Sequence, residues 1–113
     1  FRAIDGVVPW DVLMRETDPS IVIAEVDLYH ATQGGADPLD LLARYGDRIK
    51  MLHVKDMSAT DHKMVDVGAG TIDFKMIFAH AKGIEHYFVE NDSPADSMQF
   101  AANSYSYLSK LEY

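Results

Sequence analysis

Asp27, His53 and Glu90 are residue types able to bind a divalent cation, and each stands at the C-terminal end of an apolar run: IVIAEVD, IKMLHVK and HYFVE. One imidazole among carboxylates suits Mn²⁺, Mg²⁺, Co²⁺ or Zn²⁺, and ligand softness alone does not choose among them. Side chains two apart on a strand share a face. That rule sets Glu25 beside Asp27, aligns Met51, His53 and Lys55, and pairs Phe88 with Glu90. Burying so many polar groups costs roughly 1–3 kcal/mol for each one left unsatisfied, and more for charges, unless a cation or substrate meets them. Taken singly, each residue has a plainer role. An Asp at a strand end caps a helix, a His in an apolar strand is a hydrogen-bonded core residue, and Glu90 can simply pair with Lys55. Three such residues at matching strand ends favour a site.

The elements that must position them follow from local pattern. Pro9 suits a first helical turn, so PWDVLMRET predicts a helix over 9–17 that stops before Asp18-Pro19. The β-branched run 21–27 predicts a strand buried on both faces. A loop containing Gly34-Gly35 then leads to Asp37 as N-cap, Pro38 at N1 and the helix PLDLLARY, closed by Gly46. A second strand is expected over 49–55. The polar segment 56–72 after it is long for a connection, which marks it as a substrate-covering loop. Asp73 caps the helix FKMIFAHAK, Gly83 ends it, and the third strand spans 86–90. Ser93-Pro94-Ala95-Asp96 has the spacing of a capping box, for a helix over roughly 94–111 whose apolar stripe would be Met98, Ala101, Ala102, Tyr105 and Leu108. Strand, loop, helix in repetition is the order of a parallel barrel or open α/β sheet, where sites gather at C-terminal strand ends.

Composition narrows the classes. Hydrophobic residues make up 48% of the 113, yet no run approaches the ~20 residues of a membrane span, so no membrane partner is expected. Without cysteine there is neither a disulfide framework nor a thiolate metal site, and the compartment is left open. A net charge of −8 disfavours nucleic acid, which needs clustered Lys and Arg, and favours a small neutral or cation-assisted substrate. Gly68 and Gly70 in VGAGTIDF complete no dinucleotide or P-loop pattern and read as a turn before a helix. His62, His80 and His86 have no partners at ligand spacing. A whole eight-stranded barrel takes about 250 residues, so at most half of one fits. Because FRAIDG reads as the tail of a strand running into a turn, an upstream segment is expected.

The ordered series EVDLYH, GGADP, RIKMLHVKDM, VGAGTIDF and HYFVENDSP, with a final helix ending SYSYLSKL, resembles the C-terminal half of the sugar phosphate isomerase/epimerase family, the xylose-isomerase-like TIM barrels. The resemblance runs from Asp5-Gly6 to Leu111. It implies a partial (β/α) barrel of about three parallel strands with flanking helices, residues 1–113 forming the C-terminal half of that domain. In the family two glutamates, an aspartate and a histidine at four strand ends hold a divalent metal. Asp27, His53 and Glu90 match the last three, and the first glutamate would lie upstream. Many relatives carry Trp where His30 stands, while the ketose 3-epimerase branch places a substrate-contacting His there. Relatives often have Glu at the position of Ala69. The implied activity is isomerisation or epimerisation of a sugar or sugar derivative through an enediolate. Glu90 would be an acid/base group as well as a ligand, and Lys55 and His30 would contact substrate. A metal-assisted hydrolase or lyase of keto-sugar derivatives and a non-catalytic binding module are the alternatives. By itself the 113-residue chain is expected to be inactive and open to homo-oligomer formation.

Overall fold

The structure is a computed structural model describing all 113 residues. Its centre is a three-stranded parallel sheet of β1 (Ala24–Asp27), β2 (Ile49–Val54) and β5 (His86–Val89), in the order β1-β2-β5. Asp27 is in register with His53, and His53 with Phe88, so the site-bearing ends of the three strands lie level. Around the sheet stand α1 (Pro9–Glu16), α2 (Leu28–Gln33), α3 (Pro38–Tyr45), α4 (Phe74–His80) and α5 (Ser97–Leu108). A small antiparallel hairpin, β3 (Asp56–Met57) with β4 (Met64–Val65), completes the chain. This is the expected partial barrel of three parallel strands and flanking helices.

Strand alternation separates a packed face from a chemical one. Ala24, Val26, Leu52 and Val54 turn toward the helices and are buried with Leu28, Leu41, Phe74 and Ile77. Glu25, Asp27, His53 and Phe88 turn to the opposite face, the barrel interior of a complete fold. Tyr87 on the packed side meets Phe78 of α4 edge to face at 5.2 Å. No helix is long and apolar enough to cross a membrane.

The expected boundaries hold to within a residue for α1, α3 and β5, while α4 stops at His80 with Ala81 as its C-cap, short of the expected Lys82 and Gly83. Asp37 and Asp73 cap their helices by accepting from Leu39 N and Met76 N. Four further features differ. β1 starts at Ala24 because Ile21 and Val22 both donate to the Asp18 carbonyl, closing a turn after Pro19. A helix, α2, replaces the loop expected after β1, since Asp27 supplies its N-cap. The cap of α5 is Asp96, which accepts from Met98 N and Gln99 N, rather than Ser93. The buried face of α5 is Phe100 and Ser104, while Met98 and Tyr105 are 80% and 74% exposed. Of the stripe expected at 98, 101, 102, 105 and 108, only Leu108 packs against the core, and the other four face away from the true contact.

That contact is the segment 66–72, which is ordered rather than a free loop. Asp56, 1% exposed, points its carboxylate into it and accepts from the backbone of Met57, Gly68, Gly70 and Ile72 at 2.8, 2.9, 2.8 and 3.1 Å. From α5, Ser104 Oγ accepts from Val67 N at 3.1 Å, and Asn103 donates to Asp66 at 2.6 Å. Gly68 has φ +92° and lies under the Tyr107 ring, leaving no room for a Cβ. The two glycines do shape an anion cradle, and the chain's own Asp56 fills it.

Candidate functional site

Asp27 serves two purposes with its two oxygens. Oδ1 accepts from His30 N at 2.9 Å and caps α2, while Oδ2 faces Lys55 Nζ at 3.1 Å and His53 Nδ1 at 3.6 Å. Its capping role and its place among candidate ligands are thus compatible. His53, in the central strand, has a carboxylate at each ring nitrogen: Glu90 Oε2 lies 3.1 Å from Nδ1 and Glu25 Oε1 lies 3.1 Å from Nε2. The Phe88 ring stands edge-on to the imidazole at 5.8 Å.

Lys55 lies just past β2 with its side chain 5% exposed, and its ammonium touches three carboxylates. The distances are 2.7 Å to Asp92 Oδ1, 3.1 Å to Asp27 Oδ2 and 3.3 Å to Glu90 Oε2. Burial, the largest single effect, acts to lower the pKa of Lys55, but Asp92, Asp27 and Glu90 together hold it well above the usual lysine range. The hydrogen bond from Lys55 in turn lowers the pKa of the Asp92 carboxyl. His30, half-exposed, brings Nε2 to 3.9 Å from Asp92 and 4.0 Å from Asp27, beyond hydrogen-bond distance.

All five residues singled out from sequence, Asp27, His30, His53, Lys55 and Glu90, therefore stand at one end of the sheet. Two more belong with them. Glu25 was legible as a same-face neighbour of Asp27, whereas Asp92 lies in the bend after β5, where no strand periodicity points to it.

The donor types are those of a divalent-ion site, whose ligands about 2.1 Å from a shared ion lie roughly 3–3.4 Å from one another, a spacing met by the His53–Glu90 pair and not by His53–Asp27. His53 Nδ1 is 3.1 Å from Glu90 and 3.6 Å from Asp27. No group of three or more His, Asp or Glu is arranged to hold a metal ion. The physical reason is that Asp27 and Glu90 each turn an oxygen toward the Lys55 ammonium.

Beside Asp92 an open cleft of about 250 Å³ runs between Tyr29, Lys63, Met64, Asn91 and Ser93. The β3–β4 hairpin forms one wall. It is tied down by Tyr29 Oη, which donates to the His62 carbonyl at 2.9 Å, and by Met64 Sδ, which accepts from Asp92 N at 3.4 Å. The segment expected to cover a substrate is thus a braced hairpin next to the strand ends.

No family model matches the chain. Among curated proteins, an inosose dehydratase of Geobacillus kaustophilus is 41% identical over 86 residues, 61% of this chain and 28% of that protein. An inosose dehydratase of Lacticaseibacillus casei is 31% identical over 121 aligned residues, covering 87% of this chain and 41% of that protein. A crystal structure of a sugar phosphate isomerase/epimerase from Parabacteroides distasonis superposes with a TM-score of 0.71 at 37% identity, covering 89% of this chain and 36% of that one. A xylose isomerase domain protein from Alicyclobacillus acidocaldarius superposes with a TM-score of 0.59 at 25% identity, over 80% and 37% of the two chains. The chain spans well under half the length of each of these proteins. By sequence and by fold it is a part-length relative of the sugar phosphate isomerase/epimerase and xylose-isomerase-like barrel proteins.

Proposed function

We propose that the chain carries one side of the active site of a metal-dependent enzyme that removes a proton next to the carbonyl of a sugar derivative. The observation that supports this most is the meeting of His53 Nδ1 with Glu90 and Asp27 oxygens at 3.1 and 3.6 Å, level at C-terminal strand ends. Asp27, His53 and Glu90 would hold the cation, with a further ligand from barrel segments this chain does not cover. Bound there, a divalent cation supplies Lewis-acid stabilisation of negative charge on a substrate oxygen. Glu90, a partly exposed carboxylate beside His53, takes the proton from carbon. The electron pair moves into an enediolate, and the proton returns to the same or the adjacent carbon in an epimerase or isomerase. Lys55 offsets charge on the enediolate, and His30 contacts a hydroxyl.

A second outcome is favoured by the curated relatives, both named inosose dehydratase. In that case the same enediolate expels hydroxide from the neighbouring carbon, and the proton that Glu90 took from carbon goes to that hydroxide to make water. Four carboxylates surround the site, and Asp56 already fills the Gly68–Gly70 cradle. Both features support a neutral polyhydroxy ketone over a phosphorylated one.

The test begins with metal content after dialysis of wild type and His53→Ala, and equal content in both would remove the site. A chimera supplying the uncovered barrel segments from the Parabacteroides distasonis neighbour is then assayed with inosose in D₂O. Deuterium should enter the carbon beside the carbonyl, and at saturating metal Glu90→Gln should slow entry by about 10²–10⁴-fold. Loss of water without return of deuterium would select the dehydratase outcome.

A further inference from the structure

The cleft beside Asp92 does not end there. Met64, Asn91 and Ser93, which line it, also line a larger cavity of about 550 Å³ between the β3–β4 hairpin, the connection after β5 and the start of α5. Every wall of that cavity belongs to this chain, so it forms without the barrel segments the chain does not cover. At about 250 Å³ the first cleft falls below the roughly 300–1,000 Å³ of small-molecule sites, whereas the second lies within that range.

The lining of the larger cavity is mixed and holds no cation. Val65, Pro94 and the buried Phe100 supply apolar surface. Its two carboxylates already serve α5, Asp96 as the helix cap and Asp66 as acceptor from Asn103. With two carboxylates and neither Lys nor Arg, the cavity disfavours an anionic or phosphorylated group. Three other polar groups of the lining have no partner within the chain: the Asn91 amide nitrogen, the Ser93 hydroxyl and the Gln99 carbonyl oxygen. Apolar surface with a few such groups suits a neutral ring bearing hydroxyls.

We propose that this cavity is a subsite for a second sugar ring, so that the substrate is a neutral glycoside rather than a single ring. This rests on the sugar-derivative reading above and requires no metal ion. The first ring lies beside Asp92, at the edge of the strand-end cluster through the Lys55 contact of 2.7 Å, and the second passes Met64, Asn91 and Ser93 into the larger cavity.

Saturation-transfer NMR titrations of the 113-residue chain with glucose, cellobiose and maltose test it. At least one disaccharide should bind about tenfold more tightly than glucose, with saturation reaching both of its rings. Ala95→Trp, which fills the cavity from an exposed position in the connection before α5, should bring that disaccharide within about twofold of glucose. Gln99→Ala, at an exposed position of α5, should remove part of the same advantage and decides the matter if circular dichroism shows Ala95→Trp misfolded. No advantage in wild type, or one that survives these substitutions, overturns the subsite. In either case, glucose binding that Asp92→Ala weakens would leave the sugar-derivative reading standing. Failure of all three sugars to bind would overturn both.

Discussion

At the scale of single residues, the most consequential side chain outside the site is Asp56. It is adjacent in sequence to Lys55 but turns the other way, into backbone N–H groups of Gly68, Gly70 and Ile72. Asp56→Ala leaves those three donors without a partner, at about 1–3 kcal/mol for each one that stays buried. The expected result is a drop of several kcal/mol in unfolding free energy, read by urea titration. Asp56→Asn, which keeps the size but loses acceptor capacity, should lie between. An Ala variant as stable as wild type would show that water replaces the carboxylate at no cost. Gly70→Ala should be comparably harmful, because a Cβ there meets Asp56 Oδ1 and the Met57 carbonyl.

At the scale of elements, α1 is fixed to α3 by a small polar cluster. Tyr45 Oη donates to Asp11 Oδ1 at 2.7 Å and Arg44 reaches the same oxygen at 3.0 Å. Arg48 pins the far end of α1 through the carbonyl of Met14 at 2.6 Å and Thr17 Oγ1 at 2.8 Å. The Tyr45 hydrogen bond, reinforced by Arg44, lowers the Asp11 pKa below its ordinary value of 3.8. A depressed carboxyl pKa contributes stability that is present above the unfolded value and is lost as pH falls through the folded one. Acid below about pH 4 should therefore loosen α1, not alkali. Trp10 lies between Phe1 and Tyr45, at 5.0 and 6.3 Å, and reports the movement by fluorescence. In Asp11→Asn the emission change at low pH should be much reduced. An unchanged acid transition in that variant would assign it to other carboxylates.

At the scale of the whole molecule, the sheet is incompletely covered. Only 21 of 113 residues are buried, and Tyr87, Phe88 and Val89 of an edge strand are each more than 40% exposed. The radius of gyration, 14.5 Å, exceeds the roughly 13 Å expected for a compact domain of this length, as suits a slab with an open face. Both β1 and β5 have an unpaired edge, a ready template for another strand. The isolated 113-residue chain is expected to self-associate in light scattering, with mass rising with concentration. A concentration-independent monomer with one cooperative unfolding transition would contradict this.

The amino-acid sequence by itself determined the elements whose signals are local. Pro9, Asp37-Pro38 and Asp73 specify helix starts through backbone chemistry within one turn, and apolar runs locate the strands, although the β-branched Ile21-Val22 closes a turn ahead of β1. It also determined that Asp27, His53 and Glu90 share strand ends, because period-two alternation and strand order are enough to say so. Tertiary structure alone decided which partner each group takes. Asp27 caps α2 because the chain turns sharply after β1, a choice that a loop-like LYHATQ run does not reveal. The buried face of α5 is set by the Asp56-filled turn it covers, so Phe100 and Ser104 face inward and the more hydrophobic Met98 is left in water. The grip of Asp92 on Lys55 joins residues 37 positions apart. No local pattern encodes such a contact, since it exists only once β2 and β5 pair in parallel and bring their C-terminal ends together.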